Sequence, residues 1–337
     1  MNAQLTEATS LYKSTINQIN MEVVGACNLR CTMCPHSIGE GREREFNTTM
    51  PIDLCLKIID EAIPLGLKYV TFGGGGEATL HKKLEDIIRY LSDRNITTLM
   101  YTNGQKLTPE YFVKLCDAGL GTVKVSCHGY DRDSYHKWMS VDKYHTVRGY
   151  LKECFSILAE DGYETTLETN HIIHEYDQLD YQKNKYLKNW VEYLGNNKAE
   201  IWLKYNWAGT YSNEGVPRHE LFSSKQIRTC GRPMGSIMEV RSGGLNGKKG
   251  AVVPCPYVLG QDSKAVMGHL EDESILDAFN SPEMIKLRKA HIDKDFDQFD
   301  YCKNCDHLID VPEALVWTNH ENRNYGSSRI SNIKYGD

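Results

Sequence analysis

Three cysteines stand close together near the start of the chain, in the stretch ACNLRCTMCPH. Cys27, Cys31 and Cys34 follow a C-x3-C-x2-C spacing on one short segment. Four thiolates normally hold a 4Fe-4S cube, so three on one loop would leave one iron open for chemistry. A structural zinc ion is the alternative, but zinc prefers four ligands, and His36 is the one further Cys or His close by in the sequence.

Four more cysteines follow about 200 residues later in the sequence. Cys230, Cys255, Cys302 and Cys305 are spaced as C-x24-C-x46-C-x2-C. Four thiolates complete the ligation of a 4Fe-4S cube and leave no open iron. Zinc is again the alternative, because a C-x2-C pair with two distant cysteines also suits a zinc-stapled interaction protein.

The remaining cysteines do not suggest a disulfide framework. The chain has 11 cysteines and no recognisable signal peptide, so we expect a cytoplasmic protein with reduced thiols. Cys55, Cys116 and Cys154 lie on or beside apolar helix stripes, where a free cysteine packs as a small hydrophobe. Cys127 differs, because it lies at a strand end close to the expected active site.

The overall composition limits the class of partner. The 337 residues carry a formal charge of −6, and the pI is near 6.1. A protein that binds nucleic acid through phosphate neutralisation would have a basic excess, so we expect no nucleic-acid partner. No window approaches 18 uninterrupted apolar residues, so no membrane span is predicted. A small polar substrate is therefore the better expectation.

Alternating strand-like and helix-like segments position these residues. Six βα pairs run from a strand at 17–24 to the strand AEIWLKYNW. This order predicts a parallel α/β sheet, closed or nearly closed into a barrel, with functional groups at the carboxyl ends of the strands. From residue 209 the sequence becomes turn-rich, with a predicted hairpin across 243–250 and a helix at 274–291. We expect three parts, namely a barrel at 1–208, a second domain at 209–310 and a polar tail at 311–337.

Glycine and polar residues follow the predicted strands where a ligand is expected. The run FGGGGEATL comes after strand two, and such glycines allow a close approach of the backbone to a ligand. Glu77 beside them would accept a hydrogen bond from an ammonium group. In TVKVSCHG, the period of two puts Ser126 and His128 on one face and Cys127 on the other. The corresponding strand-end positions elsewhere are Thr102, Asn103, Asn170 and His171.

With these motifs the chain resembles the radical S-adenosylmethionine (SAM) superfamily. CNLRCTMCP follows the first strand, FGGGGEATL the second, and YTNG ends the third. Met33 departs from a frequent aromatic residue, and Ala78 departs from a frequent proline, but neither change removes a ligand. The resemblance implies a partial (β/α)6 TIM-like barrel in which the open iron binds SAM and a 5′-deoxyadenosyl radical forms. It implies cluster ligation by Cys27, Cys31 and Cys34, and SAM binding by Gly74, Gly75, Gly76, Glu77, Thr102, Asn103, Ser126 and Asn170.

The second cysteine set resembles the short twitch form of the SPASM-type auxiliary domain. That domain is a small α+β unit that binds one additional 4Fe-4S cluster. The similarity includes a Gly-rich hairpin between Cys230 and Cys255 and a helical segment before the final CKNC. No cysteine follows Cys305, so we expect one auxiliary cluster and two 4Fe-4S clusters in all. The resemblance further implies a reducing partner such as flavodoxin or ferredoxin.

The reaction that this resemblance implies is alcohol oxidation on a sugar, aminocyclitol or aminoglycoside. Twitch-containing radical SAM dehydrogenases of aminocyclitol antibiotic biosynthesis share the ligand spacing and the CTMCP form of the first motif. In such a reaction the auxiliary cluster accepts an electron, and His128 or His171 would be the base. One alternative is a radical epimerase in which Cys127 donates the hydrogen atom. Another is a maturase of ribosomally made peptides, although residues 1–15 are too short for a peptide-docking domain.

Overall fold

The computed structural model describes most of the chain. The described residues are 11–37, 48–195, 197–203, 230–258, 264–303, 305, 308 and 315–320. The predicted boundary between residues 208 and 209 lies outside them. Across these described ranges, every helix is too short or too polar to span a membrane.

Six parallel strands follow one another across the sheet in sequence order, as the alternating pattern predicts. They are β1 (Gln18–Met21), β2 (Tyr69–Phe72), β3 (Thr97–Thr102), β4 (Thr122–Ser126), β5 (Thr166–Ile173) and β6 (Lys198–Leu203). Because parallel strands in sequence order share one carboxyl edge, their ends bring distant segments together. The predicted α/β class with a partial parallel barrel is confirmed.

Helices cover the outer face of this sheet. They are α1 (Ile52–Ala62), α2 (Leu84–Ser92), α3 (Pro109–Asp117), α4 (Arg132–Met139), α5 (Tyr144–Asp161) and α6 (Leu179–Tyr186), which continues as a π-helix over Leu187–Glu192. In α2 the buried residues Leu84, Ile87, Ile88 and Leu91 recur at helical spacing, which gives the helix one apolar face. Local capping fixes the helix starts, as where Thr108 accepts a hydrogen bond from the Tyr111 amide at the start of α3.

The C-terminal region extends the same sheet at both edges. Strand β7 (Ile237–Arg241) pairs in parallel with β1, and β8 (Ala251–Val253) and β9 (Gly268–His269) follow by antiparallel pairing. The hairpin predicted across 243–250 is therefore confirmed as β7 and β8. Strand β10 (Leu315–Thr318) pairs antiparallel with β6, so part of the predicted polar tail is a strand.

The helix predicted at 274–291 is two helices, α7 (Ile275–Phe279) and α8 (Pro282–Asp293), and a short α9 (Asp300–Lys303) follows. The interruption has a local cause. Ser281 caps α8 by accepting a hydrogen bond from the Met284 amide, and Pro282 occupies the first turn, where its missing N–H costs nothing.

The two faces of the parallel strands differ in polarity. Residues such as Ile19, Phe72 and Val125 are fully buried against the helices. The alternate positions face the inside of the barrel and are mostly polar, with Lys124 Nζ lying 3.2 Å from Glu168 and 3.1 Å from Glu200. The barrel interior is therefore lined by hydrogen-bonding and charged groups.

Candidate functional site

The loop after β1 holds the first three cysteines, all of them half-buried. Their thiols interact electrostatically with one another. The Leu29 amide lies 3.4 Å from Cys27 Sγ, and the Cys34 amide donates to the Cys31 carbonyl at 3.0 Å, which curls the loop around the sulfurs. Burial raises the pKa of the Cys27 thiol to about 11. The structure thus brings three thiols together on one partly open loop.

The glycine run after β2 packs directly against this loop. A Cβ atom at Gly75 would lie 2.3 Å from the His36 ring, and one at Gly76 would lie 2.0 Å from the Val24 carbonyl oxygen. Gly74 has a φ of 142°, which residues with a side chain rarely adopt. The glycines are therefore needed for the two loops to approach one another, which places the end of β2 beside the cysteines.

Glu77 holds the ends of β2 and β3 together. Its Oε1 accepts hydrogen bonds from the Thr79 hydroxyl and the Thr102 hydroxyl, each at 2.7 Å, and from the Thr79 amide at 3.2 Å. Its Oε2 accepts from the Asn103 amide at 2.8 Å. A carboxylate oxygen has two lone pairs, so Oε2 keeps one site for a further donor whereas Oε1 is filled.

Asn103 extends this network to the cysteine loop. Its Nδ2 donates to Asn28 Oδ1 at 2.8 Å and lies 4.0 Å from Cys27 Sγ. The structure therefore gathers the predicted positions at the ends of β2 and β3 around Cys27. Ser126 and Asn170 are register partners on β4 and β5, on the face that lines the barrel interior, and both are half-buried.

Cys127 lies on the opposite side of the strand from Ser126. Its side chain is fully buried, and its thiol interacts electrostatically with Tyr135, Tyr144 and Tyr186, which belong to the helix layer. Burial raises the pKa of this thiol well above its ordinary value. The outward parity expected from the sequence holds, and the structure does not bring Cys127 to the barrel interior where a hydrogen-atom donor must stand.

Of the two candidate histidines, His171 lies away from the polar interior. His171 is fully buried, stacks on the Tyr186 ring at 4.6 Å and accepts a hydrogen bond from the Gly129 amide at 3.3 Å. Burial, followed by the nearby His128, lowers its pKa well below the ordinary value. The ring of His128 lies 6.4 Å from that of His171, and only 8% of its surface is exposed. The expectation that His171 is a base at the substrate is not supported by this placement.

The second set of cysteines lines one partly open pocket, which is called the cavity below. Cys230, Cys255, Cys302 and Cys305 all line it, and Arg232, Tyr257, His291 and Tyr301 complete the wall. The Arg232 guanidinium interacts electrostatically with the Cys230 and Cys255 thiols. Burial raises the pKa of the Cys255 thiol to about 11. Four thiols from distant segments around one pocket contrast with three thiols on a single loop.

Glu22 and Arg241 connect the two regions, and neither belongs to the sequence motifs described above. Glu22 Oε2 accepts hydrogen bonds from Arg241 Nη1 at 2.7 Å and from the Gly75 amide at 2.6 Å. Arg241 Nη2 in turn donates to the carbonyls of Pro256 and Val258, just after Cys255. Burial alone would raise the pKa of Glu22, but Arg241 and the Gly75 amide outweigh burial and hold it below the ordinary value.

A sequence signal for Glu22 does exist. Gln18, Asn20 and Glu22 are polar at every second position in QINME, which is the pattern of a strand with one face inside a barrel. The same alternation marks Lys124 in TVKVS and Glu200 in AEIWL.

Two family models match the chain. Residues 21–152 match the radical SAM superfamily, and residues 247–306 match the SPASM family, described as an iron-sulfur cluster-binding domain. The chain therefore carries a radical SAM domain and a SPASM domain. The first match includes the cysteine loop and the glycine run, and the second includes three of the four cavity cysteines.

Curated relatives match the chain only in part. A tungsten-containing aldehyde ferredoxin oxidoreductase cofactor-modifying protein of Pyrococcus furiosus is 37% identical over 107 residues, which is 32% of this chain and 29% of that protein. Mycofactocin maturase MftC of Mycolicibacterium smegmatis is 32% identical over 111 residues, covering 33% and 27%. The chain thus spans less than a third of the length of either relative.

Solved structures resemble the chain over both domains. The structure of BtrN in complex with AdoMet and 2-DOIA has a TM-score of 0.54 at 18% identity, and the match covers 87% of this chain and 94% of BtrN. The structure of Streptococcus suis SuiB bound to precursor peptide SuiA has a TM-score of 0.59 at 16% identity, covering 85% and 69%. These similarities support the fold of a radical SAM barrel with a C-terminal SPASM domain.

The cofactors of these two domains are SAM, the radical SAM 4Fe-4S cluster and an auxiliary iron-sulfur cluster, and the thiol geometry fits them. The number of thiols in each set carries this fit, because the four that line the cavity complete the ligation of a 4Fe-4S cube, whereas the three on the loop leave one iron for a further ligand.

Proposed function

We propose that this radical SAM protein is an oxidoreductase that converts an alcohol of a small polar substrate, such as a sugar, aminocyclitol or aminoglycoside, into a ketone. The observation that carries the proposal is the cavity lined by four thiols, which adjoins strands of the same sheet as the barrel. A fully ligated cluster there has no open iron for SAM, so electron transfer is the role that its ligand set favours.

The proposal assigns distinct roles to the two cysteine sets and the strand ends. Cys27, Cys31 and Cys34 would hold the first cluster, and Cys230, Cys255, Cys302 and Cys305 the auxiliary cluster. When bound, the clusters and SAM supply a radical that removes a hydrogen atom from the substrate and a site that accepts one electron. The residues that we assign to SAM are Gly74, Gly75, Gly76, Glu77, Thr102, Asn103, Ser126 and Asn170.

The carboxylate of Glu77 is suited to orient an ammonium group. Its Oε2 accepts one protein hydrogen bond and keeps one lone pair, and its position is held by Thr79, Thr102 and Asn103. Because these donors belong to two different strand ends, the carboxylate cannot rotate without breaking several hydrogen bonds. A pre-oriented acceptor of this kind lowers the entropy cost of positioning SAM beside the cysteine loop.

The interior of the barrel supports a polar substrate. Gln18 Nε2 donates to Asn20 at 2.8 Å, and Asn20 Nδ2 donates to Glu239 at 2.7 Å, so a hydrogen-bonded row crosses from β1 to β7. Tyr101 is the register partner of Lys124, so it faces the inside of the barrel. It keeps 41% of its surface exposed, which indicates accessible space there. Hydroxyl and amino groups can exchange hydrogen bonds with such a wall, whereas an apolar substrate would leave these groups unpaired.

Two alternatives differ in their support. The SuiB structure with its precursor peptide, together with the matches to mycofactocin maturase MftC and PqqA peptide cyclase, supports peptide maturation as a second candidate function. BtrN, whose structure holds AdoMet and 2-DOIA, is covered over more of its length than SuiB, at 94% against 69%. Epimerisation with Cys127 as hydrogen donor is disfavoured, because that thiol faces the helix layer.

One experiment separates the three reactions. The reconstituted protein, reduced chemically or by flavodoxin or ferredoxin, is incubated with SAM and either candidate aminocyclitols or short peptides, and products are weighed by mass spectrometry. Loss of two hydrogens from a cyclitol is the result that we expect. An unchanged mass with solvent deuterium incorporated would indicate epimerisation, and a modified peptide would indicate maturation; either result would overturn the dehydrogenase assignment.

A further inference from the structure

His291 lines the cavity of the four thiols but lies outside the cysteine ligand set. It belongs to the last turn of α8, and only 1% of its surface is exposed. Its ring packs edge-on against Phe296, with 4.8 Å between the ring centroids. The packing fixes the plane of the imidazole, so the directions of its two nitrogens are determined by the fold.

The hydrogen bonds of this ring define its tautomer. The Cys230 amide donates to His291 Nδ1 at 3.3 Å, so Nδ1 is an acceptor and carries no hydrogen. The proton of the neutral ring is therefore on Nε2. His291 Nε2 lies 3.7 Å from Cys302 Sγ, which is within hydrogen-bond range for a sulfur acceptor. The ring thus accepts from the backbone of one cysteine and donates to the sulfur of another.

An N–H group directed at a cluster sulfur has a definite effect on the redox equilibrium. Reduction adds negative charge to the cluster and its thiolates, and a hydrogen-bond donor stabilises that added charge more than it stabilises the oxidised form. The reduction potential therefore rises, and the cluster becomes a better electron acceptor. The Arg232 guanidinium in the same cavity acts in the same direction, because it brings positive charge close to Cys230 and Cys255.

We propose that His291 is a positioning residue for electron transfer, which donates from Nε2 to the Cys302 sulfur and raises the reduction potential of the auxiliary cluster. The inference rests on the proposed function, in which that cluster is an electron acceptor. In the oxidation, a carbon-bound hydrogen atom leaves to the SAM-derived radical, one electron passes from the substrate radical to the oxidised cluster, and the hydroxyl proton leaves to solvent. Two hydrogens are then lost from the substrate, as a ketone requires.

Two substitutions separate donation to sulfur from support of the backbone. In His291→Asn, the side-chain oxygen can take the place of Nδ1 and accept from the Cys230 amide, but no donor reaches Cys302. In His291→Gln, the longer amide can donate near the position of Nε2, whereas the acceptor for Cys230 is lost. The matched control is His269→Asn, because His269 is a buried histidine in the same region that accepts from the Leu245 amide and does not line the cavity.

The measurement is the midpoint potential of the auxiliary cluster, followed by EPR during stepwise reduction. It uses the full chain in two forms, the unmodified one and one with Cys27, Cys31 and Cys34 replaced by Ala, so that one signal belongs to the auxiliary cluster alone. We expect His291→Asn to shift the potential to more negative values, His291→Gln to retain most of the original value, and His269→Asn to leave it unchanged. Iron content and EPR line shape are recorded for every variant.

Two outcomes would overturn the proposal. An unchanged potential in His291→Asn, or a larger shift in His291→Gln than in His291→Asn, would show that donation to sulfur is not the role of the ring. Loss of auxiliary-cluster iron from both variants would assign His291 to holding the cluster in place. The potential is measured without substrate, so this test is independent of the reaction. If the potential shifted as expected but no ketone formed in the product assay, the role of His291 would stand and only the dehydrogenase function would be overturned.

Discussion

The two cysteine regions differ in how the chain builds them. Cys27, Cys31 and Cys34 come from one segment, remain half-buried and border a glycine run. The second set comes from distant segments between residues 230 and 305 and lines a shared cavity. A local set of three thiols is incomplete and suits a cluster that must bind a further ligand, whereas a non-local set of four is complete and suits a cluster that exchanges only electrons. The difference therefore predicts that the two sets fail in different ways.

The largest expected effect comes from removing one ligand from each set. Cys31→Ala should abolish SAM cleavage, because the first cluster loses a ligand that no neighbour replaces. Cys302→Ala should retain formation of 5′-deoxyadenosine but form no ketone, because the electron acceptor is lost. Each variant should bind about four irons per chain in place of about eight. Iron analysis and product chromatography of the anaerobically reconstituted proteins provide the measurement.

The matched control for both variants is Cys55→Ala, since Cys55 is a fully buried cysteine of α1 that belongs to neither set. It should bind as much iron as the unmodified protein. If Cys302→Ala formed ketone at the normal rate, the contrast between an incomplete and a complete ligand set would not extend to function.

The next effect tests the link between the two regions. Arg241→Met leaves Glu22 buried without its cation, and breaking a buried pair in this way costs about 3–5 kcal/mol of unfolding free energy. Because Arg241 also donates to the carbonyls of Pro256 and Val258, both cysteine regions should lose iron more readily. Denaturant unfolding gives the free energy, and iron release to a chelator gives the second measure. The control Arg132→Met removes an exposed pair with Asp142 and should cost less than about 1 kcal/mol.

The pH dependence of Arg241→Met should reverse in sign. In the unmodified protein the pKa of Glu22 lies below the ordinary value of 4.5, so its contribution to stability is present above pH 4.5 and is lost as the pH falls through the lowered pKa. Without Arg241, burial is the dominant effect and raises that pKa. The variant should then become more stable as the pH falls from neutral toward 5, a trend that unfolding curves at several pH values would detect or refute.

The same contrast explains what the sequence could predict. The first site is contiguous with β1 and β2, so spacing and strand order were sufficient to predict which of its residues meet. The alternation of apolar and polar residues likewise predicted the parallel sheet and the outward parity of Cys127. These features depend on neighbours within one element or one βα unit.

Other features depend on contacts between distant segments. The pairing of β7 with β1, which places Arg241 beside Glu22, joins positions 219 residues apart and follows from no local pattern. The helix predicted at 274–291 is divided at Ser281 and Pro282, which are typical of a helix start. The prediction of one continuous helix did not take these two residues into account. The placement of His171 against Tyr186 was missed because Asn170 and His171 were treated alike as strand-end positions, although alternation puts these two neighbours on opposite faces of β5.

A smaller effect is expected from Thr102→Val, which tests how the first region depends on its hydrogen bonds. The change removes the Thr102 hydroxyl, which donates to Glu77 and accepts from the Gly104 amide. Loss of these contacts in a buried position should cost about 1–3 kcal/mol and weaken SAM binding, without affecting the auxiliary cluster. Thr102→Ser should restore most of the loss. Thr97→Val, at the exposed start of the same strand, should change stability by less than about 0.5 kcal/mol, and an equal loss there would contradict the role of Glu77.

The smallest effect is expected from Cys127→Ala, which tests whether any chemistry belongs to a cysteine outside the two sets. Cys127 lies at the end of β4 close to both Ser126 and the barrel interior, but its thiol is buried among the tyrosines of the helix layer. Removing one sulfur from that packing should cost about 1 kcal/mol of unfolding free energy. Turnover should stay within about twofold of the unmodified protein, which corresponds to a small change in activation free energy.

The matched control for packing alone is Cys154→Ala, because Cys154 is a fully buried cysteine on α5. The contradicting result is that Cys127→Ala still cleaves SAM but forms no product, while Cys154→Ala remains active. The Cys127 thiol would then have to move to reach the substrate, and epimerisation would replace oxidation as the reaction.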